Sequence, residues 1–453
     1  MTSSALLQAW EKTLRTRGPQ RAVVQAADGR GATFQELDAG ANAWLEAVAS
    51  ADRIALRGRA VVFAEPNGIR WLEIFLGLLR AGAVAVPLDS AEPPAARRRL
   101  AESLRAGFWW EGARLVPLER ARRFSNPEIR LIKLTSGTTG QPRPLVFASS
   151  QLLADARQVT ATMGISARDL NYALIPLGHS YGLGNLSIPL VAQGIPLVCG
   201  AAPLPHAIAE DFQRWHPTVF PSVPAVWRAL AASDLKAAAL ASLRLGVSAG
   251  APLDPAVARD FAARFGKRLH AFYGSSETGG IAFDRTGEAT LGGGVGRPVR
   301  GVTISPQRGQ RIRISSAAVF VQGNRRQCGK NGAWVPPDQV ASGRDGLTIL
   351  GRRGTTVKIG GRRLNPTEIA ARLRQIPGVN DAWVGAQPGP EPLLGAAVAT
   401  SLSIAELRTA LHADTASWKI PRKWLILPEL PLTARGKTDV RALQARVFAG
   451  GTR

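Results

Sequence analysis

The chain is predicted to be an α/β protein, with doubly wound parallel sheets in a large N-terminal part, a small barrel-like β subdomain, and a small α+β domain beyond a hinge. Three observations predict this. Apolar helical stretches alternate with short apolar strands through the first two thirds of the sequence, the pattern of parallel sheets covered by helices on both faces. After about residue 300 the texture changes to short strands broken by Gly and Pro. The length of 453 residues also exceeds the roughly 250 to 300 at which a single core stops growing.

The N-terminal segment MTSSALLQAWEKTLRTRG carries charges too early for an apolar signal core and reads as an amphipathic first helix. Residues 69 to 89, IRWLEIFLGLLRAGAVAVPLD, have apolar positions at helical spacing, then a Gly, then AVAVPL as a short buried strand. The same step recurs where LLADARQVTATMG leads towards LNYALIPLG and where PAVARDFAARFG leads to RLHAFYG. Ligands of such sheets sit at the carboxyl ends of strands, where these Gly-rich turns fall. From Val302 to Leu350 the segments GVTIS, QRIRISS, AAVFVQG and LTILG read as strands of an antiparallel or barrel-like subdomain. Helix NPTEIAARLRQI, strands DAWVGA and LLGAAVAT, helix SIAELRTALHA and a last strand-like WLILPEL then make a compact α+β unit. Gly351 to Thr355, rich in Gly and Arg with little apolar content, reads as a hinge. The predicted division is 1–351, with 302–350 as the β subdomain, and 352–453.

Hydrophobic residues at 45% and charged residues at 20% sit near the globular average, which argues against long disorder. The 57 Lys+Arg against 33 Asp+Glu give a formal charge of +24, a field that attracts anions of any kind. The basic residues are scattered and Arg greatly outnumbers Lys, so biased codon composition and a selected anionic partner both remain open. No basic run is interleaved with aromatics for base stacking, so nucleic acid is not the expected partner. Cys199 and Cys328 stand far apart without metal-ligand spacing, which fits a reducing cytosol. No apolar run reaches the roughly 18 residues of a membrane span, and a cytoplasmic location is expected.

The segment LTSGTTGQPRPLVF, Leu134 to Phe147, packs hydroxyls, glycines and a cation into one turn between apolar runs. Unhindered backbone N–H groups, rotatable hydroxyls and a fixed positive charge suit a polyphosphate. Gly140 is followed by Gln141 and Pro142 rather than by Lys-Ser/Thr, so the Walker A template of ordinary NTPases fails.

With that loop go ATFQELDAGAN at Ala32, LGLLRAGAVAVPLD at Leu76, IPLGHSYGLGN at Ile175, VSAGAPL at Val247 and AFYGSSETGG at Ala271. GGVGRPVRGV at Gly293, the Asp338 to Lys358 stretch, NPTEIAARL at Asn365 and PLTARGKTDVR at Pro431 complete the series. Together, in this order and over essentially the whole chain, they resemble the adenylate-forming superfamily of acyl-CoA and aryl-CoA synthetases, peptide-synthetase adenylation domains and luciferases. The resemblance implies ATP and Mg²⁺ as cofactors. It also implies that a carboxylic acid is joined to AMP with loss of pyrophosphate and then passed to a pantetheine thiol, either of CoA or of an acidic acyl carrier protein.

Residue by residue, Thr135, Ser136, Gly137, Thr138, Thr139 and Gly140 match the family's phosphate loop. Arg143 stands where Lys is usual and Pro144 where Gly is usual. Glu277 matches the Mg²⁺ carboxylate, with Thr138 as a second metal-side oxygen and Ser276 in place of the usual Thr. Tyr273, Gly274, Ser275 and Ser276 and the turn Ala249, Gly250 and Ala251 match the adenine and ribose segments. Asp338 and Arg352 resemble the ribose-binding acid and Arg, with Asp345 as a fallback for the acid. Lys437 matches the lysine that bridges carboxylate and α-phosphate, carried by a mobile C-terminal domain. Lys358, Gly360 and Gly361 resemble the thiol tunnel, and Gly354 replaces the hinge's expected charged residue. For the acyl pocket, no acid occurs early in IPLGHSYGLGN, and His179 matches the gate of aryl- and acyl-acid members. Tyr181, Asn185, Ser248, Gly250 and Ser275 would line the pocket, and Tyr181 and Asn185 could bond a ring hydroxyl.

Two other readings compete. GVSAG at Gly246 to Gly250 satisfies the GxSxG of an α/β-hydrolase with Ser248 as nucleophile, but the turn-forming APLDP follows where a helix should begin. The Arg143, Pro144 and Gly354 departures also suit a non-catalytic nucleotide-binding descendant.

Overall fold

The computed structural model describes residues 4–48, 50–112, 114–119, 121–136, 142–308, 310–320, 332–352, 357–387, 389, 392–431 and 439–449. Contacts divide the chain into a larger unit of Met1–Ser90, Ala101–Lys133 and Pro144–Arg353, and a smaller unit of Ala91–Leu100, Leu134–Arg143 and Gly354–Arg453.

In the larger unit, the strands Leu269–Ser275, Leu245–Ser248, Val219–Ser222, Asn171–Ala173, Leu197–Cys199 and Arg21–Gln25 lie side by side in that order, all parallel. Antiparallel strands Gly31–Thr33 at one edge, and Gly279–Phe283 with Arg297–Pro298 at the other, extend this sheet. A second sheet has the parallel core Phe108–Glu111, Ala60–Phe63, Val84–Pro87 and Ile129–Ser136. Strands buried on both faces need apolar side chains throughout, and AVVF at Ala60 to Phe63 is buried at every position.

The helices that cover these sheets begin and end where the sequence supplies caps. Thr33 and Glu36 form a reciprocal capping box at the start of Phe34–Ala47. Ile69–Arg80 packs on that helix so closely that a Cβ at Gly77 would fall 2.4 Å from the Trp44 ring. Pro255 opens Pro255–Phe265 behind the Asp254 cap, and Gly266 closes it in the left-handed region at φ 63°. The rings of Phe220, Trp227 and Phe261 fill the space under that helix, Trp227 lying 4.8 Å from Phe220 and 5.3 Å from Phe261.

Past residue 300 the chain forms two small antiparallel sheets, Thr303–Gln307 with Arg311–Ser315 and Ala333–Trp334, and Asp338–Gly343 with Gly346–Arg352. One expected strand is absent among the described residues. Residues 317–320 of AAVFVQG form a turn instead, in which the Ala318 N–H donates to Ser316 Oγ and the Val319 N–H to the Ser316 carbonyl. Phe320 is wholly buried beside Phe147 and Trp334, so its apolar character reflects a plug rather than a strand.

The smaller unit contains the hairpin Val357–Ile359 with Arg362–Leu364 and the sheet Val379–Ala386, Leu394–Thr400 and Lys423–Leu427. Helices Pro366–Arg374, Ile404–His412 and Val440–Phe448 accompany that sheet. Leu394–Thr400, central and buried at all seven positions, carries its core.

Candidate functional site

The predicted nucleotide residues of the larger unit gather at the carboxyl ends of the parallel strands, where a doubly wound sheet presents its ligands. Tyr273 and Asp338, 65 residues apart, are both buried, and the Tyr273 hydroxyl donates to Asp338 Oδ2 at 2.8 Å. Asp338 is also the register partner of Arg352, whose side chain lies outside the described residues. Asp345 lies exposed in the turn at the other end of that hairpin, away from Tyr273's partner, so the fallback assignment has no support.

The strand Leu269–Ser275 reverses into Gly279–Phe283 through a tight turn. Ser275 Oγ and Thr278 Oγ1 lie 3.0 Å apart across it, and Gly279 takes φ 71°, which favours glycine. Gly274 faces the strand so closely that a Cβ there would lie 2.8 Å from the Gly279 carbonyl. Glu277, at the turn's apex, is only 8% exposed, and its carbonyl accepts the Phe320 N–H at 2.9 Å. The plug at Phe320 thus anchors the backbone of the residue expected to face the metal.

The expected acyl-pocket residues come from three segments. His179 is exposed just before the short helix Ser180–Gly182, and its carbonyl accepts the Leu183 N–H at 2.7 Å. The chain then forms a π-helix, Leu183–Ser187, a distortion frequent at functional sites. Ser180 Oγ donates to Ser276 Oγ at 2.8 Å, which joins this segment to the Glu277 turn. Tyr181's hydroxyl donates to the Val247 carbonyl at 3.2 Å, and burial raises its pKa well above the ordinary phenol value. The Asn185 amide donates to the Tyr181 carbonyl at 3.1 Å. The Tyr181 hydroxyl proton is thus committed within the protein, whereas the Asn185 amide uses one of its two N–H donors and keeps the second.

Ser248 ends its strand, followed by buried Ala249, Gly250 at φ 92° and half-buried Ala251. Its Oγ is buried without a hydrogen-bond partner, as is that of Ser222, its register partner on the adjacent strand. A hydrolase nucleophile needs a base on its hydroxyl and a helix directly behind it. Here the next helix starts only at Pro255, and no histidine bonds Ser248 among the described residues.

Two charged residues were missed by sequence reasoning. Lys133, on strand Ile129–Ser136, is 5% exposed, with its Nζ 4.4 Å from the centre of the Phe147 ring. Asp155, on helix Ser149–Met163, is 6% exposed, and its Oδ1 accepts the Gly280 N–H at 2.9 Å. Burial lowers the Lys133 pKa against the pull of Asp155 and Glu277, and burial raises that of Asp155 against Lys133 and the Gly280 N–H. Both shifts disfavour charge, as expected when ions leave water. A signal was available: Lys133 shares the strand face of Leu131, and Asp155 falls between Leu152 and Val159 on the buried helix stripe.

In the smaller unit, Thr135 Oγ1 points to the Arg143 carbonyl at 3.5 Å. Lys358 is half-buried on a strand opposite Arg363, and Gly360 and Gly361, at φ 53° and 78°, form the two-residue hairpin turn that links these strands. Both positive angles explain the glycines through turn geometry alone. Gly137, Thr138, Thr139, Gly140, Gly354 and Lys437, and the side chain of Ser136, lie outside the described residues.

Parallel sheets whose strand ends carry the Tyr273–Asp338 hydrogen bond and the buried Glu277 define an α/β protein of the doubly wound class. Comparison gives the family: residues 108–305 match the AMP-binding enzyme family. Triostin synthetase I of Streptomyces triostinicus is 30% identical over 73% of this chain and 67% of its own length. A 2-hydroxy-7-methoxy-5-methyl-1-naphthoate–CoA ligase of Streptomyces carzinostaticus is 28% identical over 70% of this chain, which spans 62% of that relative. The o-succinylbenzoate CoA synthetase of Bacillus subtilis, at 19% identity, shares the fold with a TM-score of 0.80 over 98% of both chains. The chain belongs to the AMP-binding enzyme family.

Proposed function

We propose that the protein is an ATP-dependent acid–thiol ligase. It activates an aryl or acyl carboxylate as its acyl-AMP, releases pyrophosphate, and transfers the acyl group to a pantetheine thiol of CoA or an acyl carrier protein. The observation that carries this reading is the Tyr273–Asp338 hydrogen bond beside the buried Glu277 turn, which gives a base-sized ring, a ribose acceptor and a metal-side carboxylate at one strand end. The CoA-ligase name of the naphthoate relative supports the aryl side of the reading.

The chemistry asks little of a base. A carboxylic acid with a pKa of about 4 is already ionised at neutral pH and can attack the α-phosphorus directly. What resists is charge, so the site's work is to neutralise the phosphates and hold the nucleophile in line with the pyrophosphate leaving group. Thr135, Ser136 and residues 137–140 supply hydroxyls and N–H groups, and Arg143 keeps the segment's charge in a planar fork. Asp338 accepts ribose hydroxyls, and Arg352, its strand partner, serves the same sugar. Lys437 neutralises the charge between carboxylate and α-phosphate. Glu277 suits Mg²⁺, which takes hard oxygen ligands and is commonly held by one or two carboxylates plus substrate phosphates. When bound, the ion would offset phosphate charge.

After adenylation, movement of the C-terminal domain withdraws Lys437 and brings the Lys358, Gly360 and Gly361 face to the acyl adenylate. The excess positive charge draws either CoA phosphates or an acidic carrier protein. A panel of aryl and acyl carboxylic acids, assayed by pyrophosphate release with CoA and then with holo carrier proteins, tests the reading. Acid-dependent release with thioester formation is expected. Silence across the panel, with fluorophosphonate labelling at Ser248, would instead establish a hydrolase.

A further inference from the structure

The smaller unit includes a piece of chain that lies far in sequence from the rest of it. Residues Ala91–Leu100 group with Gly354–Arg453, although the chain up to Ser90 and from Ala101 onwards belongs to the larger unit. Within the smaller unit, six side chains of alternating charge form an unbroken row. Glu92 Oε1 lies 2.6 Å from Lys419 Nζ, which lies 3.9 Å from Glu368 Oε1. The same Glu368 oxygen lies 3.0 Å from Arg372 Nη2, and Arg372 Nη1 lies 3.4 Å from Asp414 Oδ1. Asp414 Oδ2 then lies 2.7 Å from Arg99 Nη2. Both ends of the row, Glu92 and Arg99, sit on the short segment, and the four groups between them sit on residues 368 to 419.

The Glu92–Lys419 link is the strongest, because both side chains are only 14% exposed, whereas Arg99 is half exposed and adds less. Opening a largely buried ion pair is costly unless both charges reach water. Helix Pro94–Ser103 carries Arg99 and continues without a break to Ala101, wholly buried and part of the larger unit. A C-terminal domain that moves between two tasks cannot take Glu92 and Arg99 along without breaking that helix, so the row itself must open.

We propose that this row is a clasp on the moving domain: closed, it holds the C-terminal domain in one of its two working positions, and it opens for the other. Glu92, Lys419 and Arg99 are then positioning residues. This rests on the ligase reading and its two half-reactions. Loosening the clasp lowers the population of the clasped position relative to the other. The half-reaction served by that position then falls against its counterpart by the same factor.

The test measures the half-reactions separately, with an acid that the protein turns over: pyrophosphate exchange for adenylation, and thioester formation from preformed acyl-AMP for transfer. In Glu92→Gln, which keeps the side chain's size and removes its charge, the ratio of the two rates should shift by about tenfold. A folded Glu92→Gln protein whose ratio stays within about threefold of wild type overturns the inference. A second arm fixes the clasp shut by joining Glu92→Cys/Lys419→Cys with a short bis-maleimide in a Cys328→Ser background, where buried Cys199 is left in place. The joined protein should keep one half-reaction and lose the other by about tenfold or more. Failure to join, or a joined protein that performs both half-reactions or neither, overturns it even if Glu92→Gln does not fold. Normal turnover with an unshifted ratio removes this inference alone, whereas no adenylation of any acid by the wild-type protein removes the ligase reading with it.

Discussion

Replacing Tyr273 with Phe isolates a single bond. The substitution keeps the ring and deletes the hydroxyl that donates to Asp338 Oδ2 at 2.8 Å, in a place where both residues are 7% exposed. A hydrogen bond to an ionised partner contributes about 1.5–3 kcal/mol, and its loss leaves a buried carboxylate short of a donor. At about 1.4 kcal/mol per decade that is a factor of roughly 10 to 150 to be shared between folding and nucleotide binding. If Asp338 receives the ribose, part of the loss must appear in binding, because a carboxylate freed to rotate has to be ordered again by the ligand. The expected result is an ATP dissociation constant raised about tenfold by calorimetry, a melting temperature lowered by a few degrees, and little change in KM for the acid. Asp338→Asn should weaken ATP at least as much. An ATP affinity within twofold of wild type, alongside a clear fall in melting temperature, would mean that the pair is a core contact and that the nucleotide assignment is wrong.

Other consequences are independent of the site's chemistry. Trp227 is fully buried between Phe220 and Phe261, and Trp227→Ala should cost about 3–5 kcal/mol in denaturant unfolding; a loss below 1 kcal/mol would contradict the packing described. Burial holds the His270 imidazole below its usual pKa, against its Nδ1 bond to the Asp284 carbonyl and the Asp284 charge. The unfolded chain therefore binds that proton first, and the stability conferred is complete above about pH 6.5 and lost as pH falls through the folded value. His270→Asn should flatten the fall in melting temperature between about pH 7.5 and pH 5.5, and an unchanged slope would refute the linkage.

How much was legible depended on whether a signal was local. The helix-to-strand steps at 69–89, 149–173 and 255–275 follow from apolar spacing, because each element hides its own face and ends at its own Gly or Pro. AAVFVQG misled because β-branched and aromatic residues mark burial as readily as strand, and Phe320 is buried as a plug under Glu277. Tyr273 and Asp338 could be named one at a time from motifs, but their hydrogen bond depends on a hairpin folding across 65 residues. Lys133 and Asp155 were visible only as breaks in apolar faces, a violation of local pattern of the kind expected at functional positions. The glycines at 360 and 361 show the opposite case, in which a motif residue has a sufficient reason in its turn.

The most direct test of the account is carboxylate-dependent exchange of labelled pyrophosphate into ATP, run with the wild-type protein and with Lys437→Ala. The account predicts exchange that requires both ATP and an aryl or acyl acid, and that falls by several orders of magnitude in the variant while ATP still binds. Exchange that proceeds without any carboxylate, or at an undiminished rate after loss of the Lys437 amine, would contradict it.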